Sequence, residues 1–473
     1  MSTFSGLGTA ASGLTAARLA LEVTGQNVAN ANTEGYTRQR VTQSPMAQTA
    51  LATYATQSSV GDGVLVTGVA RLNDAVVDAR VRSTAATASY WSASANALGT
   101  VETALNEPST SGLSSVLNKF WGAWQSMANA VGTKSAEGAA SNLIAQGQLV
   151  ASSVSAGYTA ASTSWSDARS AAGLTVTAIN DAAGQVADLN KSIRALTAAG
   201  SNVNSLLDQR DTAVTKLAQL TGATTRPNAD GTVDVTVGGN LLVSGVTTRK
   251  VELTGDAAFS TTSTTPVALQ WADTKTPVSL DGGELAARIA ALQPANADGT
   301  GGVYAEAAKT YDAIASSIAT AVNTASATGY TSKGQPAGDF FSFTSPAGSP
   351  ALNLTVKAAS AADIAVAGKD LGNSDGTVAD AISQLGSAPD SPDAQWAGYV
   401  SRIGSQSATA TARASTSQTA AAAATDAQTS ASGVDLDEET SNLVIYQHAY
   451  QASARVISTI NDILDTLINM GAR

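Results

Sequence analysis

Apolar side chains recur every seven residues at both ends of this chain, and that spacing constrains the fold more than any other feature. Near the N-terminus the series is Leu7, Leu14, Leu21 and Val28. Near the C-terminus it is Leu443, Tyr450, Ile457 and Leu464, followed three residues behind by Tyr446, Ser453, Ile460 and Leu467. Seven-residue spacing holds side chains on one seam of a helix, and such a seam needs a helical partner. The partner is the other end of the same chain, an end of a neighbouring copy, or both. A chain built this way reads as an assembly part before it reads as an enzyme.

Composition narrows the alternatives. Lys and Arg total 26 against 37 Asp and Glu, a net charge of −11 with no dense basic run. Nucleic acid is therefore a poor partner, because phosphate neutralisation carries much of that affinity. Aromatics are 5% of the residues, while Ala, Ser, Thr and Gly dominate. Small side chains let helices approach closely, so long, thin helical packing is expected. There is no cysteine, which removes disulfides, thiolate catalysis and Cys-based zinc sites together. No stretch approaches the roughly 18 apolar residues of a membrane span, so no membrane insertion is expected. The N-terminus lacks the continuous apolar run of a cleaved signal peptide, so export is expected to leave it in place.

The first helix is expected over residues 1 to about 30, ending in Asn30-Ala31-Asn32-Thr33-Glu34-Gly35-Tyr36. Asn and Gly tolerate positive φ, and short polar side chains compete with the helix for backbone groups. Asn30, Asn32, Gly35 and Tyr36 are thus the candidate helix break. Thr37 to Thr67 predicts extended chain and a hairpin through Gly61-Asp62-Gly63. A helical block follows to about 220. Its clearest amphipathic segment is Leu113, Val116, Leu117, Phe120, Trp121, Trp124, Met127 and Val131. Val233, Val235 and Val237 then alternate with polar residues, a strand signature continued over 265–281. Helices return at about 283–293 and 303–327, and a long one starts near Asp393. The Ala-rich block 405–432 predicts helix, with a flexible linker as the alternative. Asp435 and Glu438 are spaced like a capping box at the head of the last helix.

The remaining candidates for chemistry are weak. Asp208 and Asp211 lack a His or Cys beside them and read as a solvated face or local ion pair. His448 is the only histidine and lies between the C-terminal tracks, a packing or rim position. Asn228-Ala229-Asp230-Gly231 and Asn296-Ala297-Asp298-Gly299 lack the leading acid of a calcium loop and read as turns. No catalytic, cofactor-binding or metal-ligating residue is expected.

Ser12 to Ala17 with Val23 to Arg38, and Tyr446 to Ile457, resemble the terminal signatures of bacterial flagellar axial proteins. Leu206-Leu207-Asp208-Gln209-Arg210-Asp211, Asp230-Gly231, Val233 to Gly239, Leu242 to Gly245, Gly282 to Leu285 and Tyr311 to Phe341 resemble the hook-associated protein 1 family in particular. The residues themselves predict a mainly α fold with a β-rich insert. The resemblance implies three parts. They are a coiled-coil-like core of 1–32 with 434–473, an elongated helical rod of 33–222 with 390–433, and a smaller outer α+β or β domain, 223–389. It also implies a structural adaptor that self-assembles at the hook–filament junction as a ring or tube. Its partners would be itself, the hook protein, a second junction protein or filament subunits, and an export chaperone on the C-terminal helix. The location implied is the extracellular flagellum, reached by type III export. Another axial subunit, or an extracellular adhesin, is the alternative. The predicted assembly surface is Leu7, Leu14, Leu21, Val28, Leu443, Tyr446, Tyr450, Ile457, Ile460, Leu464 and Leu467.

Overall fold

The computed structural model describes residues 3–46, 63–262, 265–345, 347–369, 371 and 374–471. The chain opens with α1 (Thr3–Ala29) and then forms an antiparallel hairpin of β1 (Gln39–Pro45) and β2 (Val64–Arg71), with a register shift between Thr42 and Gln43. The turn expected at Gly61 and Asp62 lies outside the described residues. Four helices follow: α2 (Ala75–Leu105), α3 (Leu113–Ala130), α4 (Ala136–Ala198) and α5 (Asn204–Thr221). In α3 the residues at i, i+3 and i+4 spacing, Leu113 through Met127, are buried. At 63 residues, α4 is ~95 Å of continuous helix. It lacks an all-round apolar surface and buries one line, including Leu143, Val150, Val154, Trp165, Val176, Ile179 and Ile193.

The insert begins with β3 (Thr224–Pro227), β4 (Val233–Val237), β5 (Asn240–Ser244) and β6 (Thr247–Thr248), an antiparallel meander in chain order. A second meander follows, of β7 (Val251–Thr254), β8 (Ala268–Trp271) and β9 (Pro277–Val278). Next come α6 (Gly283–Ala291), α7 (Val303–Ser326), β10 (Phe341–Phe343), α8 (Pro350–Asn353), β11 (Leu354–Val356), which pairs with β10, and α9 (Thr377–Ser383). The chain returns through α10 (Pro392–Ser432) and ends in α11 (Leu436–Gly471).

Residues 405–432 form helix rather than linker. Ala410, Ala414, Ser417 and Ala424 lie buried in α10, which packs along α2. Small residues at that contact give a close approach, and polar links such as Gln428 to Asp78 (2.7 Å) fix it. The main hydrophobic core is continuous from Val101 in α2, through α3 to α5, both meanders and α7, to Ile403 in α10. No member of that core comes from α1 or α11. The two terminal helices pair with each other outside it.

Candidate assembly surface and the joint beneath it

The helices α1 and α11 run antiparallel in a fixed register. A Cβ built on Gly6 would lie 3.4 Å from Ile460 Cδ1. Seven residues further on in α1, and seven back in α11, a Cβ on Gly13 would lie 3.2 Å from Ser453 Oγ. Fourteen more in each direction bring Asn27 to Glu439, where Asn27 Nδ2 donates to a carboxylate oxygen at 3.2 Å. The inward face of α1 is therefore made of small side chains. Ala10, Ala17, Ala20 and Thr24 are buried there beside Gly6 and Gly13.

The leucine series lies off this seam. Leu7, Leu14 and Leu21 are half-buried, and Val28 is exposed. At 100° per residue, Leu7 and Leu14 stand about a quarter-turn round from the line of Gly6 and Gly13. The opposite flank of α1 is covered by the β1–β2 hairpin, where Val64 N–H donates to Ser12 Oγ at 3.2 Å. On α11, Tyr446, Ser453, Ile457, Ile460 and Leu464 are half-buried, whereas Leu443, Tyr450 and Leu467 are exposed. His448 is exposed too.

A further apolar stripe on α11 escaped the reading of the sequence. Ile445, Val456, Ile463 and Met470 are 59%, 48%, 46% and 66% exposed. Ile445 precedes Tyr446 by one residue, so the stripe lies 100° from the inner line. The signal was there in the seven-residue steps of Val456, Ile463 and Met470. It was masked by the stronger aromatic and leucine series beside it.

Below the pair lies a polar joint. Helix α1 stops at Ala29, and Gly35 has φ +77°. A Cβ at Gly35 would come within 2.6 Å of Thr212 Oγ1 in α5, so close approach and backbone both favour glycine. Asn27 uses its whole hydrogen-bonding capacity here. Its amide oxygen accepts from Gln39 N–H (3.0 Å) and Tyr36 OH (2.8 Å), and its amide nitrogen donates to Gln39 O (2.9 Å) and Glu439. Arg38 forks across α11, donating from Nε to Glu439 (2.7 Å) and from Nη1 to Glu438 (2.6 Å).

Two expectations are corrected at this joint. Asp435 caps α11 by accepting from the N–H groups of Asp437 (2.8 Å) and Glu438 (3.2 Å). The Glu438 side chain does not reach back to close a capping box, because Arg38 holds it. Likewise Asp208 is no solvated face. It is buried in α5 and lies 2.8 Å from Arg71 Nη2 of β2, which also donates to Asp211 at 2.7 Å. The ion pair is long-range because the β1–β2 hairpin folds back onto α5. Burial pushes the Asp208 carboxyl above its ordinary range against the pull of Arg71. Burial, with the charges of Asp208 and Glu439, pushes the Tyr36 hydroxyl up to about 12. Tyr36, Arg71, Asp208 and Asp211 line a cavity of about 630 Å³ between the loop 31–37, α2, α5 and the end of α10.

Among the described residues, no group of three His, Cys, Asp or Glu side chains could hold a metal ion. No described helix is long and apolar enough to cross a membrane.

Comparison with known proteins identifies the lineage. A family model described as the flagellar hook-associated protein FlgK helical domain matches residues 98–341. Flagellar hook-associated protein 1 of Bacillus subtilis is 30% identical over 99% of this chain and 98% of its own length. The chain belongs to the flagellar hook-associated protein 1 family. Other hook-associated protein 1 relatives include those of Escherichia coli, 27% identical over 98% of both chains, and Salmonella typhimurium, 25% identical over 98% of this chain and 99% of its own. The ends match broader models. The flagella basal body rod protein model covers 7–37, and the flagellar basal body rod FlgEFG protein C-terminal model covers 428–470. The solved flagellar hook junction protein FlgK of Burkholderia pseudomallei shares the fold, with a TM-score of 0.61 at 17% identity over 74% of this chain and all of that one. Hook-associated protein 1 membership agrees with the mainly α fold and its β-bearing insert.

Proposed function

We propose that this protein is a structural adaptor that self-assembles at the junction between flagellar hook and filament. The observation that carries the reading is the terminal pair of a hook-associated protein 1 chain. Its α1 face is made of small residues, and α11 leaves large apolar ones outside, with Leu443, Ile445, Val456, Ile463 and Leu467 exposed. Exposed aliphatic surface on paired helices favours burial against further helices. Copies of the same chain supply those helices in a ring or tube. The stripes Leu7, Leu14, Leu21 and Val28, and Leu443, Tyr450 and Leu467, lie at subunit contacts. Tyr446, Ile457, Ile460 and Leu464 close the pair within each subunit.

In this reading 1–32 with 434–473 forms the inner core, 33–222 with 390–433 the rod, and 223–389 the outer part. One face meets the hook and the other a second junction protein or filament subunits. Before assembly, an export chaperone covers the exposed side of α11. The protein works outside the cell and catalyses nothing. Electron micrographs of cells lacking it test the proposal. Hooks without attached filaments are expected, and normally attached filaments would overturn it.

A further inference from the structure

Helix α11 carries two apolar stripes that could meet α1, and only one does. The inner stripe is Tyr446, Ser453, Ile457, Ile460 and Leu464; the outer is Ile445, Val456, Ile463 and Met470. Hydrophobic burial is not directional. The partner surface, Gly6, Ala10, Gly13, Ala17 and Ala20, is smooth and presents no large knob that would distinguish them. Packing alone therefore gives weak grounds for the choice, since each stripe carries three aliphatic side chains, Ile457, Ile460 and Leu464 inside and Ile445, Val456 and Ile463 outside.

The polar contacts at the base of the pair do distinguish them. Glu439 stands in line with Tyr446, Ser453 and Ile460, seven residues apart at each step, and is 2% exposed. Glu438 stands in the corresponding line with Ile445. Turning α11 by one residue would bring Glu438 to the buried place and Asp437 to the place where Arg38 Nη1 now meets Glu438. Asp is one methylene shorter, so the fork of Arg38, 2.7 Å to one carboxylate and 2.6 Å to the next, would lose one tine. The backbone leaves Arg38 little room to follow, since Arg38 N–H is bonded to Ser432 O at 2.9 Å. Asn27 is held by Gln39 and Tyr36 as described.

We propose that Glu439, gripped by Asn27 and Arg38, sets the rotational phase of α11 and so decides which apolar stripe is buried and which is offered outward. Polar groups at a helix seam are known to select register in this way. The selection stands on these contacts; only the use of the outward stripe rests on the proposed assembly role.

Engineered cysteines read the phase directly, because the chain has none of its own. In the full-length protein, Gly13→Cys is combined with Ser453→Cys or with Ala452→Cys, and disulfide yields are compared on the monomer. A Cβ placed on Gly13 would lie 3.2 Å from Ser453 Oγ, within reach of a disulfide. The 453 pair is expected to exceed the 452 pair by at least about tenfold. In Glu439→Leu the ratio should fall at least about tenfold, because Glu438 then turns inward to Asn27. Glu439→Gln keeps an acceptor for Asn27 and should preserve the preference. A simple loosening of the pair would lower both yields together and leave the ratio unchanged, which would overturn the proposal. So would a parent without preference. If Glu439→Leu forms neither disulfide, Glu439→Asp decides. A drop in the ratio of at least about threefold supports the proposal, and no change refutes it. The ratio is read without polymer, so its failure leaves the assembly reading to its own test.

Discussion

Truncating the outer stripe of α11 should separate assembly from folding. In the double variant Val456→Ala/Ile463→Ala, both side chains are about half exposed in the free subunit, at 48% and 46%. Full burial of such a side chain contributes about 1.5–3 kcal/mol, so roughly half of that, ~0.8–1.5 kcal/mol each, remains to be gained on contact with a neighbour. Together the two changes should weaken subunit addition by ~1.5–3 kcal/mol, which is about 10- to 150-fold. Alanine is a strong helix former, so the helix itself should be retained. The assay is the critical concentration for polymerisation of purified protein, measured by sedimentation, with thermal unfolding of the monomer as control. A critical concentration within about threefold of the parent's would refute the assignment of this stripe to a subunit contact. A large loss of monomer stability would show instead that the stripe is already covered within the subunit.

Three further outcomes follow from the geometry. Phe120→Ala removes a fully buried ring whose centroid lies 4.9 Å from that of Trp121 and 5.7 Å from that of Phe341, and should cost about 3–5 kcal/mol in a urea unfolding experiment. Gly35→Val imposes a β-branched side chain on φ +77° within 2.6 Å of Thr212 Oγ1, and should destabilise by at least ~1–3 kcal/mol and impair polymerisation. Unaltered polymers would show that the joint does not need glycine. Asp208 has a folded-state pKa above its ordinary 3.8, so between those values the folded protein holds the proton more tightly than the unfolded chain does. Its contribution to stability is present at low pH and is lost as pH rises through that window. Melting temperatures of Asp208→Asn should lack that decline, and parallel pH profiles for variant and parent would contradict it.

Much of this fold can be read from residue order. The segment Leu113 to Met127 is amphipathic enough to be recognised as a helix, and Val233, Val235 and Val237 alternate with polar residues along what folds as strand β4, although Asp234 between them is buried too. Local backbone geometry and side-chain periodicity determine such elements, and both are written in neighbouring residues. The joint was harder to read. Arg38 with Glu438 and Glu439, and Arg71 with Asp208 and Asp211, join positions far apart in the chain. No spacing rule connects them: Arg71 meets Asp208 and Asp211 because the β1–β2 hairpin folds back onto α5, and Arg38 meets Glu438 and Glu439 because its backbone is tied to Ser432 just ahead of α11.

The sequence by itself determined that both ends are helices with seven-residue apolar spacing, interrupted after Ala29 and restarted after Gly433. Tertiary structure decided which faces meet. The largest residues were the natural guess for the seam, because they have the most surface to bury. The inner face of α1 instead uses Gly6, Ala10, Gly13 and Ala17, which allow close approach to α11 and leave Leu7, Leu14 and Leu21 on the flank. Periodicity defines a stripe but not its partner. On α11, where two stripes compete, the buried contacts of Glu439 with Asn27 and Arg38 distinguish one from the other.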